Sequence, residues 1–246
     1  MRLLDKFMKR NLSHDYCVVK LFKIIQQSDF INIKPCFDIM QNVFLSKEYN
    51  LRGIDVNYGA KKWKKVTSFY KYLETNDVVY FNADFKPNEY RPDEKFFSPA
   101  DLDFTGINYS NHLQNLSGKT DEKDYIDFIL VIPYEWYNLE LIKSIIKETD
   151  KTIGLTYAYV CFLPKNYSSI TESPLKVSSF SVSSSLTKKD TELRNNLKDI
   201  DCGFIPKIYP INFYNNRQLE FINSTNIKYS EAISDNLTVV TAYAET

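Results

Sequence analysis

From Tyr125 to Pro133 the chain is almost continuously apolar, with Ile126, Phe128, Ile129, Leu130, Val131 and Ile132 in a single run. A strand that is apolar on both sides has to lie inside a sheet covered on both faces. The residues that follow supply cover. Asn138 is placed to cap a helix whose Leu139, Ile142, Ile145 and Ile146 share one face, and Thr152 to Leu163 returns as a second strand. Strand, amphipathic helix and strand in succession predict an architecture of layered helices and sheet.

Neighbouring segments repeat this alternation. Residues 16 to 25 are β-branched and aromatic enough to form a strand. From Pro35, which suits a first helical turn, Cys36, Ile39, Met40, Val43 and Phe44 fall on one helical face. Leu51 to Tyr58 reads as extended. Trp63, Val66, Phe69, Tyr70 and Leu73 predict a second amphipathic helix with Lys61, Lys62, Lys64 and Lys65 as its solvated side. Asp77 to Phe85 is a strand by composition. Ser178 to Leu186 alternates Phe180 and Val182 with serines, as a half-buried strand does, and Thr187 and Asp190 then open a helix bearing Leu193 and Leu197. Ile205 to Tyr214 contains Pro206 and Pro210 and reads as irregular, Asn215 caps a short helix through Leu219 and Ile222, and Leu237 to Ala244 closes as a strand.

The expected fold is therefore α+β or α/β, a mixed β-sheet flanked by amphipathic helices. One compact domain spans 1–246 and can be divided into packed halves, 1–123 and 124–246. Phe128, Leu130, Ile142, Ile146, Tyr157, Leu193 and Leu197 are the expected core. Between 86 and 123, Pro87, Pro92, Pro99, Gly106 and Gly118 punctuate a polar stretch with neither strand nor helix period, which predicts a long loop of the kind that carries function.

Charge restricts the partners. The 31 Lys+Arg balance 31 Asp+Glu, and Lys outnumbers Arg 25 to 6, so bidentate reading of phosphate or guanine is not expected and nucleic acid is not a predicted partner. The charge is uneven along the chain: residues 1–76 carry 14 basic and 7 acidic side chains, residues 77–127 carry 5 and 11. Opposed fields of this kind either help the two regions pack together or steer a charged protein partner. The loop adds aromatic anchors to the acidic field. Asp93, Glu94, Asp101 and Asp103 surround Phe96, Phe97 and Tyr109, and these seven are the candidate partner-binding residues.

Signals for catalysis are sparse. His14 and His112 are the only two histidines, and neither stands in a metal-ligand or triad spacing. Cys17, Cys36, Cys161 and Cys202 are far apart with no C-x-x-C pair, which predicts buried thiols in a reducing cytoplasm. Gly118-Lys119-Thr120 ends like a phosphate-binding loop, but position 113, where that loop needs its first glycine, is Leu113. The basic start, Met1 to Arg10, runs into polar Asn11 to Asp15 rather than an apolar export segment, and no stretch is long and apolar enough for a membrane span. No metal, cofactor or catalytic residue is expected. The alternative is a small cytoplasmic hydrolase or transferase using the carboxylates of 101–127: Asp101, Asp103, Asp121, Glu122, Asp124 and Asp127.

In the C-terminal half, Gly154-Leu155-Thr156-Tyr157-Ala158-Tyr159 is followed by the serine-rich segment. The run Cys202-Gly203-Phe204-Ile205-Pro206-Lys207-Ile208-Tyr209-Pro210-Ile211-Asn212-Phe213 comes next, and then Gln218-Leu219. This succession, with the helix around Trp63 and the strand Val78 to Phe81, resembles the type VI secretion immunity family. Its sharpest piece is Ile208-Tyr209-Pro210-Ile211-Asn212, with Lys207 where the family pattern is acidic. The resemblance implies a cytoplasmic protein that binds and neutralises a cognate bacterial toxin, and it carries no catalytic residues. The motif also has a physical reading, with Tyr209 packed at a corner and the Asn212 side chain satisfying the backbone of the bend.

Overall fold

The computed structural model describes residues 14–25, 32–57, 59, 61–76, 78, 80–87, 101–107, 124–177, 182–184, 196–205, 208–222 and 227–242. In chain order its strands are β1 (Tyr16–Ile25), β2 (Tyr49–Val56), β3 (Lys61–Trp63), β4 (Tyr80–Pro87), β5 (Asp101–Ile107), β6 (Asp124–Pro133), β7 (Tyr157–Leu163), β8 (Lys176–Val177), β9 (Val182–Ser183), β10 (Ile211–Asn215), β11 (Ile227–Ala232) and β12 (Leu237–Ala242). The α-helices are α1 (Ile33–Leu45), α2 (Val66–Leu73), α3 (Leu139–Ile153) and α4 (Asn216–Leu219). Ten of the described strands form one sheet in the order β11-β12-β10-β7-β1-β6-β5-β4-β2-β3, and β8 pairs with β9 separately.

This corrects the expected α+β or α/β fold with a mixed sheet. The molecule is mostly β, a single large sheet with few helices, and its described pairings are antiparallel. The physical reason lies at the centre. β6, α3 and β7 do follow one another as strand, helix and strand, but β1 inserts between the two strands and pairs antiparallel with both. A parallel neighbour pair, which the local pattern suggests, never forms. The sheet also takes strands from both sides of residue 123, since β1 pairs with β6.

One face of the sheet is apolar. Val19, Leu21, Phe81, Phe85, Phe104, Phe128, Val160, Phe213 and Val239 point into a core completed by Cys36, Phe37, Met40 and Phe44 of α1, Phe69 of α2 and Ile142, Ile145 and Ile146 of α3. Phe44 stacks on Phe85 with ring centroids 4.1 Å apart, and Phe37 meets Phe69 at 5.4 Å and Phe81 at 5.7 Å. Asn138 caps α3 as its sequence position requires, accepting from Glu140 N at 2.9 Å and Leu141 N at 3.2 Å. The helix ends at Gly154, whose φ of +66° is a left-handed cap that a side chain would strain.

Several local expectations change. Trp63 belongs to β3 rather than to a helix, and α2 begins at Val66. The expected loop 86–123 contains β5 and the end of β4. Cys17, Cys36 and Cys161 are buried, but Cys202 is exposed. Phe128, Leu130, Ile142, Ile146 and Tyr157 are buried, while Leu193 lies outside the described residues, as do Thr187 and Asp190. Leu197 opens a 3-10 turn, Leu197–Cys202.

Candidate functional site

The second face of the sheet is different in kind. Residues opposite each other in a ladder point to the same side. Following register from edge to edge gives one row across ten strands: Lys62, Asp55, Asn82, Asp103, Ile129, Lys20, Tyr159, Asn212, Val240, Ser230. Two of these residues are aliphatic. A polar row through the middle of a sheet costs desolvation unless each group finds a partner, and the partners define the site.

On the β1–β7–β10 side the row is covered. Lys20, only 5% exposed, donates from Nζ to Glu172 Oε1 at 3.0 Å and to Ile170 O at 3.0 Å. Glu172 sits in a left-handed conformation, φ +52°, on the segment that follows β7. Tyr159 Oη donates to its Oε1 at 2.5 Å, and Tyr209 Oη reaches the same oxygen at 3.4 Å. The rings of Tyr159 and Tyr209 stack with centroids 3.7 Å apart. Burial raises both phenols well above their ordinary range, so they stay protonated as donors. Asn212 closes the Tyr209-Pro210 bend as its chemistry suggests, accepting from Tyr209 N at 3.2 Å and donating to Tyr209 O at 2.7 Å.

Two strands away, Asp103 is buried at 5% exposure. Its Oδ1 accepts from Asn82 Nδ2 at 2.8 Å and from Tyr80 Oη at 3.2 Å. Burial pushes its carboxyl up to about 6 despite those two donors and the Lys20 charge. Asp101, next on the same face and opposite Asp84, is raised well above the usual carboxylate range by burial and by the charges of Asp103 and Asp84. Of the seven residues assigned from sequence, the structure thus brings Asp101 and Asp103 together on β5. Asp93, Glu94, Phe96, Phe97 and Tyr109 lie outside the described residues.

Asp121 and Glu122 also lie outside, whereas Asp127 stands on β6 opposite Thr105, on the face of Asp103. His14 packs its ring against Tyr134 and Phe162, at 5.5 and 5.6 Å. Among the described residues no group of three His, Cys, Asp or Glu is arranged to hold a metal ion, and no helix is long and apolar enough to cross a membrane.

Toward β3 the row opens into a groove of about 460 Å³, which sequence reasoning missed. Arg52, Lys62 and Lys64 line it together with Asp55 and Asp84, beside Gly53 and Asn82. Gly53 lies at a register shift in β2 and stands opposite Asp84, so the floor there is bare main chain. Two ion pairs flank it, Lys62 to Asp55 at 3.0 Å and Arg52 to Asp84 at 3.6 Å, with the two basic side chains 73% and 62% exposed. The legible signal was Gly53 itself, a glycine inside the extended run Leu51 to Tyr58.

No protein-family model matches the chain, and no curated protein matches its sequence. Among solved structures, the fold is similar to that of the Pseudomonas aeruginosa T6SS protein PA0821, with a TM-score of 0.54 and 9% sequence identity over 98% of this chain and 75% of that one. At that identity the likeness is one of fold.

Proposed function

We propose that the chain is an immunity protein, which binds a cognate antibacterial toxin in the cytoplasm and neutralises it in a fixed-ratio protein complex without a catalytic step of its own. The observation that carries this reading is the likeness of fold, over 98% of the chain, to a protein of the T6SS. The Ile208-Tyr209-Pro210-Ile211-Asn212 motif supports it as a resemblance, although Asn212 and Tyr209 have structural work to do whatever the function.

In this reading the acidic region meets a basic toxin surface. Asp93, Glu94 and Asp101 supply the field, and Phe96, Phe97 and Tyr109 supply anchors. Asp103 contributes from beneath, because its burial removes it from direct contact. Charge of this kind acts first on encounter rate. Changing Asp93, Glu94 and Asp101 to Lys is expected to slow association and weaken its salt dependence. Truncating a true anchor raises dissociation, at a cost on the order of 2 kcal/mol or more.

The test is co-expression of the chain with each protein encoded beside it, scored for rescue of growth and for co-purification. Rescue together with a stable complex is the expected result. A neighbour set with no toxic member, or rescue without a complex, overturns the proposal.

A further inference from the structure

We infer that the outer edge of β11 pairs with the same edge of a second copy of this chain, antiparallel about a two-fold axis at Ser230, joining their two large sheets into one. The pairing does not depend on the role proposed above.

β11 ends the sheet, and its residues 228–232 are exposed. Ile233 N donates to Leu237 O at 2.9 Å in the hairpin that joins β11 to β12, and the ladder keeps that register from Ala232 opposite Thr238 to Tyr229 opposite Thr241. Along an antiparallel strand, residues bonded to one neighbour alternate with residues whose main-chain groups point to the other side. Tyr229 and Glu231 therefore bond to β12, whereas Ser230 and Ala232 turn N–H and C=O away from the sheet. Among the described residues no strand pairs with that side. A row of this kind is a template for a further strand. The opposite end of the sheet is guarded, because β3 has three residues and exposes Lys61 and Lys62. Ser230 and Ala232 carry no such charge.

Side-chain chemistry selects the occupant and the register. An axis at Glu231 would set two like charges directly opposite each other, which destabilises a strand pair. An axis at Tyr229 runs into the bulge at Lys228, and one at Ala232 runs into the turn at Ser234. An axis at Ser230 sets each Glu231 opposite Tyr229 of the other copy. Within one chain Tyr229 Oη donates to Glu231, and Lys143 Nζ meets Glu231 Oε2 at 2.5 Å and stands over the Tyr229 ring at 6.0 Å. Across the axis, each carboxylate thus faces a second phenol and a second ammonium, so the edge is complementary to itself. On the other face Ser230 meets Ser230, two hydroxyls that can bond each other. With β3 guarded, the contact is isologous and closes at two copies.

The test is sedimentation velocity of the full chain from dilute to concentrated solution, with amide hydrogen exchange measured at both ends of the range. The expected result is a mass that doubles with concentration while exchange at the Ser230 amide slows at least about tenfold. Ser230→Pro removes only the outward N–H, so it should keep the parent far-ultraviolet spectrum and stay single at every concentration. Ser230→Lys keeps that N–H but sets two like charges on the axis, and it should also abolish the doubling. If Ser230→Pro alters the spectrum, Ser230→Lys decides. A single-copy mass throughout, or a doubling that survives Ser230→Lys, overturns the inference. Protection of Ser230 that appears only with a co-expressed toxin, without doubling of the chain alone, gives the edge to the toxin and overturns it as well.

Discussion

Asp103 and Lys20 are the charged residues that the described sheet buries, and each makes a measurable prediction. The Asp103 carboxyl rises from 3.8 to about 6 on folding, so the folded chain keeps a proton that the unfolded chain gives up. The stability tied to that proton is complete below pH 3.8, falls as pH rises through 6 and stays lost above it. Asp103→Asn carries a neutral amide at every pH and still accepts from Asn82 and Tyr80. It should match the parent near pH 4 and exceed it at pH 8, by up to about 3 kcal/mol, in urea melts at the two values. An equal difference at both pH values would contradict this. For Lys20 the pair matters more than either member. Glu172→Leu strands a buried ammonium and should cost about 3 kcal/mol or more, while adding Lys20→Met should recover the part due to the stranded charge and leave the part due to the Tyr159 and Tyr209 hydroxyls that lose their acceptor. A double variant as weak as the single one would show that the pair itself stabilises. Thiols give a third check: a thiol reagent should modify Cys202 quickly in the native state and spare Cys17 and Cys36, which are buried with thiols pushed up to about 12.

At the level of elements, α3 shows how directly a capping residue can set a boundary. Asn138→Ala removes two hydrogen bonds to the first turn and should lower stability by about 1 kcal/mol in a urea titration, with the same native far-ultraviolet spectrum. β1, β6 and β7 were legible as apolar, β-branched and aromatic runs, and α1 and α3 because their apolar residues follow the helical period. β5 was not, although Asp101-Leu102-Asp103-Phe104 alternates with period two. Aspartates in alternate positions of a strand oppose strand propensity, and the donors of Tyr80 and Asn82, on a different strand, make a buried Asp103 tolerable on the polar face. β11 was missed for the opposite reason. It is an edge strand with little burial, so its sequence carries no apolar stripe to read. Trp63 was assigned to a helix because its spacing to Val66 and Tyr70 also fits a helical face, a coincidence that three-residue β3 is too short to break.

For the whole molecule, the asymmetry of the two faces is the main fact that the linear pattern hides. The helix-covered face follows from apolar periodicity, but the polar row exists only once ten strands are in register, and register is set by contacts far apart in sequence. Antiparallel insertion of β1 between β6 and β7 converts a local strand-helix-strand pattern into a different class of sheet. It also places Lys20 where Glu172 can reach it, some 150 residues along the chain. The candidate site was correspondingly half legible: Asp101 and Asp103 were singled out by charge, and Gly53, Asp55 and Asp84 were not, because no linear motif joins them. The central claim, that this surface serves stoichiometric neutralisation of a toxin, is tested most directly by native mass measurement of the tagged chain purified from cells that also make the toxic product of a neighbouring gene. The account predicts a single complex of fixed ratio that accompanies growth rescue. Rescue with only the free chain recovered would contradict it.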